Sequence, residues 1–252
     1  MERLNLRTAK TFDYSSESGK TEWKIKFFCV SEGPTEESYF EGIRNNRVGL
    51  KIKNDVIIEI IPKEEGQETY SHPKQLVDAC LTAMGRMDSE GNDIPEGEWD
   101  KNCKWKDYKK ETDIVCVVFD RDYRNIDEYF DEIFEKCNKN NIRIVMSNPN
   151  FEFWLLMHFP NIGQYDRKKL LENPKNLKQK VVPGASKHKK YLEILVSQAA
   201  QGYSKGCKIK FEKFLPQLSL AMNQAEQFCE EAEGLKTELG SAVGKLIKSM
   251  RE

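Results

Sequence analysis

FFCVSEGPTE, residues 27–36, climbs through an apolar run to Val30 and then breaks into Ser31, Glu32, Gly33, Pro34, Thr35 and Glu36, with two carboxylates four residues apart around a turn. The run predicts a strand from Trp23 to Val30, and Pro34 suits the first turn of a helix that carries Tyr39, Phe40 and Ile43 on one face. Working outward, VIIEII at 56–61 reads as a second strand, and Leu76, Val77, Cys80, Leu81 and Met84 recur at helical spacing between Lys74 and Met87. IVCVVF at 114–119 is an unbroken β-branched and aromatic run of the kind a central parallel strand requires, and it ends in Asp120-Arg121-Asp122. A helix follows through Ile126, Tyr129, Phe130, Ile133, Phe134 and Cys137. A fourth strand, Ile142 to Met146, leads to Ser147-Asn148-Pro149-Asn150. Strands alternating with helices imply βαβ units, so the expected class is α/β: a mostly parallel four-stranded sheet flanked by helices.

The remainder divides by composition. Residues 1–21 carry no periodicity and read as a frayed or loosely docked arm. The α/β domain is expected over 22–160, with a polar surface insertion at about 88–112 (DSEGNDIPEGEWDKNCKWKDYKKET) that orders with a partner. From 161 to 252 no strand is expected, only a basic helical part with helices near 188–201, 208–233 and 240–251. A chain of 252 residues with 38 % hydrophobic content can bury a sizeable core without staples. No apolar run approaches the roughly 20 residues of a bilayer crossing. The N-terminus lacks the apolar centre of a signal peptide, so a soluble, cytoplasmic protein is expected. Seven cysteines without a C-x-x-C pair support neither a disulfide framework nor a zinc site.

Net charge is only −1, but it is unevenly spread. Between Arg167 and Lys213 thirteen Lys and Arg face three acids, a local +10 that leaves −11 elsewhere. Such a separation suits a phosphate-binding face beside an acidic region that could hold cations, although each lysine taken alone suits an ordinary solvated helix face.

In parallel α/β sheets ligands bind beyond the carboxyl ends of strands, which is where Glu32 and Glu36 (after strand one) and Asp120 and Asp122 (after strand three) are expected to fall. Carboxylates gathered in one crevice repel, so they either shift their pKa values or share a cation that offsets the repulsion. Hard oxygen donors without a nearby His or Cys cluster favour Mg2+ or Mn2+. Within FEFWLLMHF at 151–159, apolar on every side, Glu152 is stranded. It reads either as a further ligand or supporting base, or as half of a salt bridge with an arginine such as Arg121 or Arg143. His158 reads more readily as a satisfied core histidine than as a catalyst.

A strand ending in Glu-Gly, then helix, strand, helix and a strand ending in D-x-D looks like the Toprim domain, the magnesium-binding fold shared by topoisomerases, bacterial primases and a group of nucleases; this likeness covers about residues 22–160. S-E-G-P-T-E at 31–36, S-N-P-N-F-E-F-W-L-L-M-H-F at 147–159 and Y-S-K at 203–205 resemble the RloB-like (AbiLii-type) proteins of bacterial phage-defence and restriction loci. That likeness extends over most of the chain, with the insertion at 88–112 outside it and 240–251 only loosely similar.

The resemblance implies a metal-dependent nuclease acting on DNA or RNA, including structured RNA such as tRNA, as an antiphage effector. Glu32, Glu36, Asp120 and Asp122 would bind the ions, Glu36 matching the second glutamate of the E-G-x-T-E form. Glu152 would support them, and a lysine, Lys187 or Lys205, would offset charge on the scissile phosphate. Glu32, Asp120, Asp122, Glu152 and Lys205 are thus the catalytic candidates, and Lys187, Lys189, Lys190, Lys205 and Lys208 the nucleic-acid contacts. Tyr191, Tyr203 and Phe211 lie among these lysines as stacking candidates or as helix core. The partners implied are nucleic acid, an AAA- or ABC-type ATPase encoded alongside, and a second copy of the chain in a homodimer; no membrane partner is expected. A non-catalytic nucleotide or RNA sensor, and an accessory subunit docking onto the ATPase, are the competing readings.

Overall fold

The computed structural model describes residues 3–7, 25–67, 70–105, 107–121, 126–181, 183, 187–205 and 209–252. The first strand, β1 (Ile25–Ser31), runs straight into α1 (Pro34–Asn45), with Pro34 at the first helical position and Gly33 extended before it. Proline lacks the N–H that a first turn leaves without an intrahelical partner. Then follow β2 (Val56–Ile60), α2 (Pro73–Ala83), α3 (Trp99–Asn102), β3 (Ile114–Asp120), α4 (Ile126–Lys139) and β4 (Ile142–Asn148). The chain continues with α5 (Phe151–Leu156), α6 (Arg167–Glu172), β5 (Lys175–Lys180), β6 (His188–Lys190), α7 (Tyr191–Ala199), α8 (Leu218–Ala225), β7 (Gly240–Ser241) and α9 (Val243–Arg251).

The main sheet has the order β2-β1-β3-β4-β7. β1 pairs in parallel with β2 and with β3, Cys29 standing opposite Ile60 on one side and Cys116 on the other. The expected mostly parallel α/β architecture is present, with one more strand than expected: β7 joins the edge of β4 in antiparallel sense through Ser147 and Asn148. A two-residue strand carries no periodic signal. Gly240 makes it possible, because a Cβ there would stand 1.8 Å from the carbonyl oxygen of Cys229, which accepts from Ser241 N–H.

Chain contacts divide the molecule into two compact units, one of Met1–Val118, Tyr123–Ile144 and Met250–Glu252, the other of Phe119–Asp122 and Val145–Ser249. In the first unit, β1 and β3 bury almost every side chain, and Tyr39, Phe40 and Ile43 of α1 are fully buried, as their spacing predicts. Helices α2 and α4 are tied by Lys74–Glu132 at 2.8 Å and Lys136–Asp78 at 2.7 Å. Residues 3–7 of the expected loose arm are docked: Leu4 and Leu6 are buried, and Asn5 N–H donates to Gln67 Oε1 at 2.7 Å.

The insertion differs from expectation. Its described residues fold onto the first unit, with Trp105 buried and stacked on Phe28 at 4.8 Å between ring centroids. Two tryptophans among many charges gave no helical or strand period, yet one large ring against the sheet anchors the segment.

The second unit also differs from the all-helical expectation. Lys175–Lys180 and His188–Lys190 form an exposed antiparallel ribbon, held by pairing rather than burial, which is why no alternation announces it. The helix expected over 208–233 is reduced to α8, preceded by short 3-10 turns at Phe211–Lys213 and Leu215–Gln217, the second built around Pro216. Around α5 the core is dense: Phe153, Trp154, Leu155 and Met157 have no accessible surface.

Candidate active site

Asp120 ends β3 and is buried. Its Oδ1 accepts from the N–H of Phe151, the first residue of α5, at 2.8 Å. Helix starts leave such N–H groups without intrahelical partners, and a side chain at the N-cap normally accepts from them. Asn150 stands at the N-cap with extended backbone but makes no capping bond. Asp120, thirty-one residues earlier, holds the first N–H of the helix instead. The amide of Asn150 is fully buried, and among the described residues neither its Nδ2 nor its Oδ1 finds a hydrogen-bond partner.

One turn into α5, Glu152 is 1 % exposed. Its Oε1 accepts from the Tyr203 hydroxyl at 2.6 Å, and its Oε2 lies 3.2 Å from Lys205 Nζ. The same ammonium lies 3.2 Å from Asp120 Oδ2. Each carboxylate therefore has one oxygen held by a neutral protein donor and the other turned to a shared cation. Two buried carboxylates are costly without a counter-ion, and Lys205 supplies it. Glu193, in the first turn of α7, feels the same charges: burial raises its pKa, repulsion from Glu152 raises it further, and Lys205 pulls it down.

Asp120, Glu152 and Lys205 are thus brought together. Asp122 and Lys208 lie outside the described residues. In the first unit, Glu32 prolongs β1: its N–H donates to Val118 O at 2.9 Å, and its carbonyl accepts from Lys63 at 2.5 Å. Glu36 is buried in the first turn of α1, with its Oε2 3.0 Å from the place of a Cβ at Gly33. Lys187, Lys189 and Lys190 lie on the ribbon or at its edge, Lys187 exposed and the other two half-buried.

Of the two readings of Tyr203, stacking candidate or core, burial is what the structure shows, though in a loop and not in a helix: its ring is buried and its hydroxyl donates to Glu152 Oε1. Phe211 is buried too, and the Tyr191 ring is covered by the Lys169 ammonium at 4.4 Å. Tyr203 sits in a loop with no periodic pattern, and its only sequence signal is its place two residues before Lys205. For Glu193 the sequence offers nothing beyond an acid at a helix start.

Asp120 and Glu152 fit a hard divalent ion in donor type and in having one oxygen apiece turned to a common cation; Mg2+ is commonly held by one or two carboxylates and completed by water and substrate phosphate. Among the described residues no group of three or more His, Cys, Asp or Glu side chains is placed to hold a metal.

His158 packs edge-on to Trp154 and Phe214, and its Nδ1 lies 3.2 Å from Trp154 O. Burial pushes its pKa from 6.5 down to about 4, so near neutral pH it carries no charge. Between those two values the unfolded chain takes up a proton that the folded chain refuses. Its contribution to stability is therefore complete above about 6.5 and is lost progressively as pH falls toward 4. Denaturant midpoints measured across that window should fall with acidification, with a shallower slope in His158→Gln.

No helix among the described residues is long and apolar enough to cross a membrane. Neither a curated protein nor a solved structure matches the chain. A family model described as RloB-like protein matches residues 27–250, taking in most of β1, Asp120, α5, Tyr203 and Lys205, and the chain therefore belongs to the RloB-like family.

Proposed function

We propose that this chain is a metal-dependent nuclease of the Toprim type that hydrolyses phosphodiester bonds of DNA or RNA as an effector of bacterial antiphage defence. The observation that carries the reading is the Asp120–Glu152 pair, with one oxygen apiece fixed by Phe151 N–H and Tyr203 and the other shared around a cation. Fixed carboxylates of this kind are the protein's part in metal-assisted phosphoryl chemistry. Asp120 and Glu152 would hold Mg2+ or Mn2+, with Asp122 as the further ligand that the family resemblance implies; the described Glu32 and Glu36 are not grouped with them as a set of three or more. The ion supplies Lewis-acid activation of the phosphodiester.

The chain's own residues have separable roles. Phe151 N–H and Tyr203 orient the carboxylates. Lys205 offsets their charge and is the donor proposed for the substrate phosphate. The lysines of the β5–β6 ribbon supply salt-sensitive, sequence-independent attraction to the nucleic-acid backbone. His158, uncharged and enclosed by aromatic rings, holds α5 and carries no proton in the reaction.

The same ion pair supports a second reading, a non-catalytic sensor or ATPase-docking subunit in which Lys205 is the permanent counter-ion. Incubation with labelled tRNA, single-stranded DNA and duplex DNA, with magnesium or manganese and with or without the neighbouring ATPase, separates the two. Metal-dependent cutting is expected. Intact substrate under every condition would overturn the nuclease reading in favour of the second.

A further inference from the structure

The β5–β6 ribbon does more than spread positive charge. Its segment, residues 175–190, holds six lysines (Lys175, Lys178, Lys180, Lys187, Lys189 and Lys190) and no acid. Among the described residues only three large apolar side chains stand exposed, and two of them are here, Leu177 at 77 % and Val181 at 40 %. A leucine left in water forgoes the gain that burial would give it, and its lysine neighbours attract anions, so the surface suits a partner that is anionic and apolar in places.

The ribbon is a built feature. At its base Tyr191 N–H donates to Pro174 O at 3.0 Å, and farther out Val181 N–H donates to Lys187 O at 3.0 Å. His188 ties the strands together, its Nδ1 3.2 Å from Asn176 O and its Nε2 3.1 Å from Lys180 Nζ. Between the facing pairs Lys175–Lys190 and Lys180–His188, β5 advances five residues and β6 only two, so β5 bulges. Lys178 N–H closes the bulge on Asn176 Oδ1 at 2.9 Å, with Leu177 between them. Bulges re-aim side chains, and this one presents Leu177 to solvent.

Shape and chemistry separate the anionic partners. Proteins hold single strands by stacking bases on exposed aromatic rings, and residues 175–190 contain no Phe, Tyr or Trp, while the Tyr191 ring at the base is covered by Lys169. An anionic membrane surface is held by a broad apolar face, for which one leucine and one valine are too little. Paired strands lie about 4.8 Å apart, and the B-DNA major groove, about 12 Å wide, admits a two-stranded ribbon. The major groove of duplex RNA is too deep and narrow for this. The apolar feature on the floor of the DNA groove is the thymine methyl. We propose that the ribbon enters the major groove of B-form duplex DNA, with its lysines on the flanking phosphates and Leu177 against a thymine methyl. This rests on the reading of the chain as a nuclease and names its substrate class. β6 runs directly into α7, where Glu193 feels the charges of Glu152 and Lys205, so the base of the ribbon adjoins the carboxylate pair.

The test is fluorescence anisotropy of the full chain with a labelled duplex DNA, the duplex RNA of the same sequence and the single DNA strands, all in EDTA. Duplex DNA should bind about tenfold or more tightly than either alternative, because it alone offers a groove the ribbon enters. Replacing every thymidine by deoxyuridine removes only the methyls and should weaken binding about three- to fourfold, the worth of one buried carbon. Leu177→Ala, at an exposed position that leaves the fold intact, should weaken binding to the thymidine duplex and abolish the difference between the two duplexes. Lys178→Ala should lower the slope of log affinity against log salt by about one. Absence of duplex binding, equal affinity for RNA or single strands, no deoxyuridine effect, one that persists in Leu177→Ala, or displacement of DNA by phosphatidylserine vesicles would each overturn the proposal. EDTA stops cleavage, so such a failure leaves metal-dependent cutting of another nucleic acid standing, and a failure to cut leaves these affinities unchanged.

Discussion

Asp120→Asn is expected to lower metal-dependent cleavage by at least about 100-fold, in the range seen when one preorganised electrostatic contact is removed from a reacting centre. The substitution is nearly isosteric. Its amide oxygen can still accept from Phe151 N–H, so α5 should start as before and the fold should persist. What disappears is the negative charge on the oxygen now shared with Lys205, and with it most of the attraction for a divalent ion. Nucleic-acid affinity in the absence of metal should stay within a few-fold of the original, because a carboxylate that repels phosphate has been neutralised. Cleavage that persists undiminished would remove Asp120 from the chemistry; parallel loss of binding and cleavage would point to a structural role.

The second large effect concerns the platform beneath the carboxylates. Trp154 has no accessible surface, its ring lies 5.2 Å from that of His158, and a Cβ at Gly244 would stand 3.3 Å from it. Trp154→Ala should cost about 3–5 kcal/mol, the sum of lost transfer energy and an incompletely collapsed cavity. Denaturant unfolding followed by far-UV circular dichroism should show the loss, and if the two units unfold separately it should fall on the transition of the unit that contains α5. A change below about 1 kcal/mol would mean that the surrounding aromatic rings close the gap unaided.

What the sequence displays follows from what burial imposes on it. The strands at 25–31, 56–60, 114–120 and 142–148 are legible because both faces of a parallel sheet must be apolar, which leaves continuous runs. Asp120 and Glu152 are legible for the complementary reason: an acid at the end of such a run, or inside FEFWLLMHF, needs a reason to be there. The partner of Glu152 is not legible as an arginine from a neighbouring strand. It is Lys205, fifty-three residues away in a loop, where neither propensity nor period constrains the path. The β5–β6 ribbon and β7 escape notice because their residues are polar or too few to alternate. The insertion shows how composition misleads: its charges read as solvated chain, while the buried ring of Trp105 stacks on Phe28 and the half-buried Trp99 bonds to Ile94 O.

The borrowed cap on α5 bears on the order of events during folding. A helix of six residues is far below the length that is stable alone in water, and its own Asn150 contributes no capping bond. Its capping contact forms only when the thirty-one-residue loop back to Asp120 closes, so that contact is expected to form late. Mutations at this contact should therefore accelerate unfolding far more than they retard refolding, the kinetic mark of a late-forming segment.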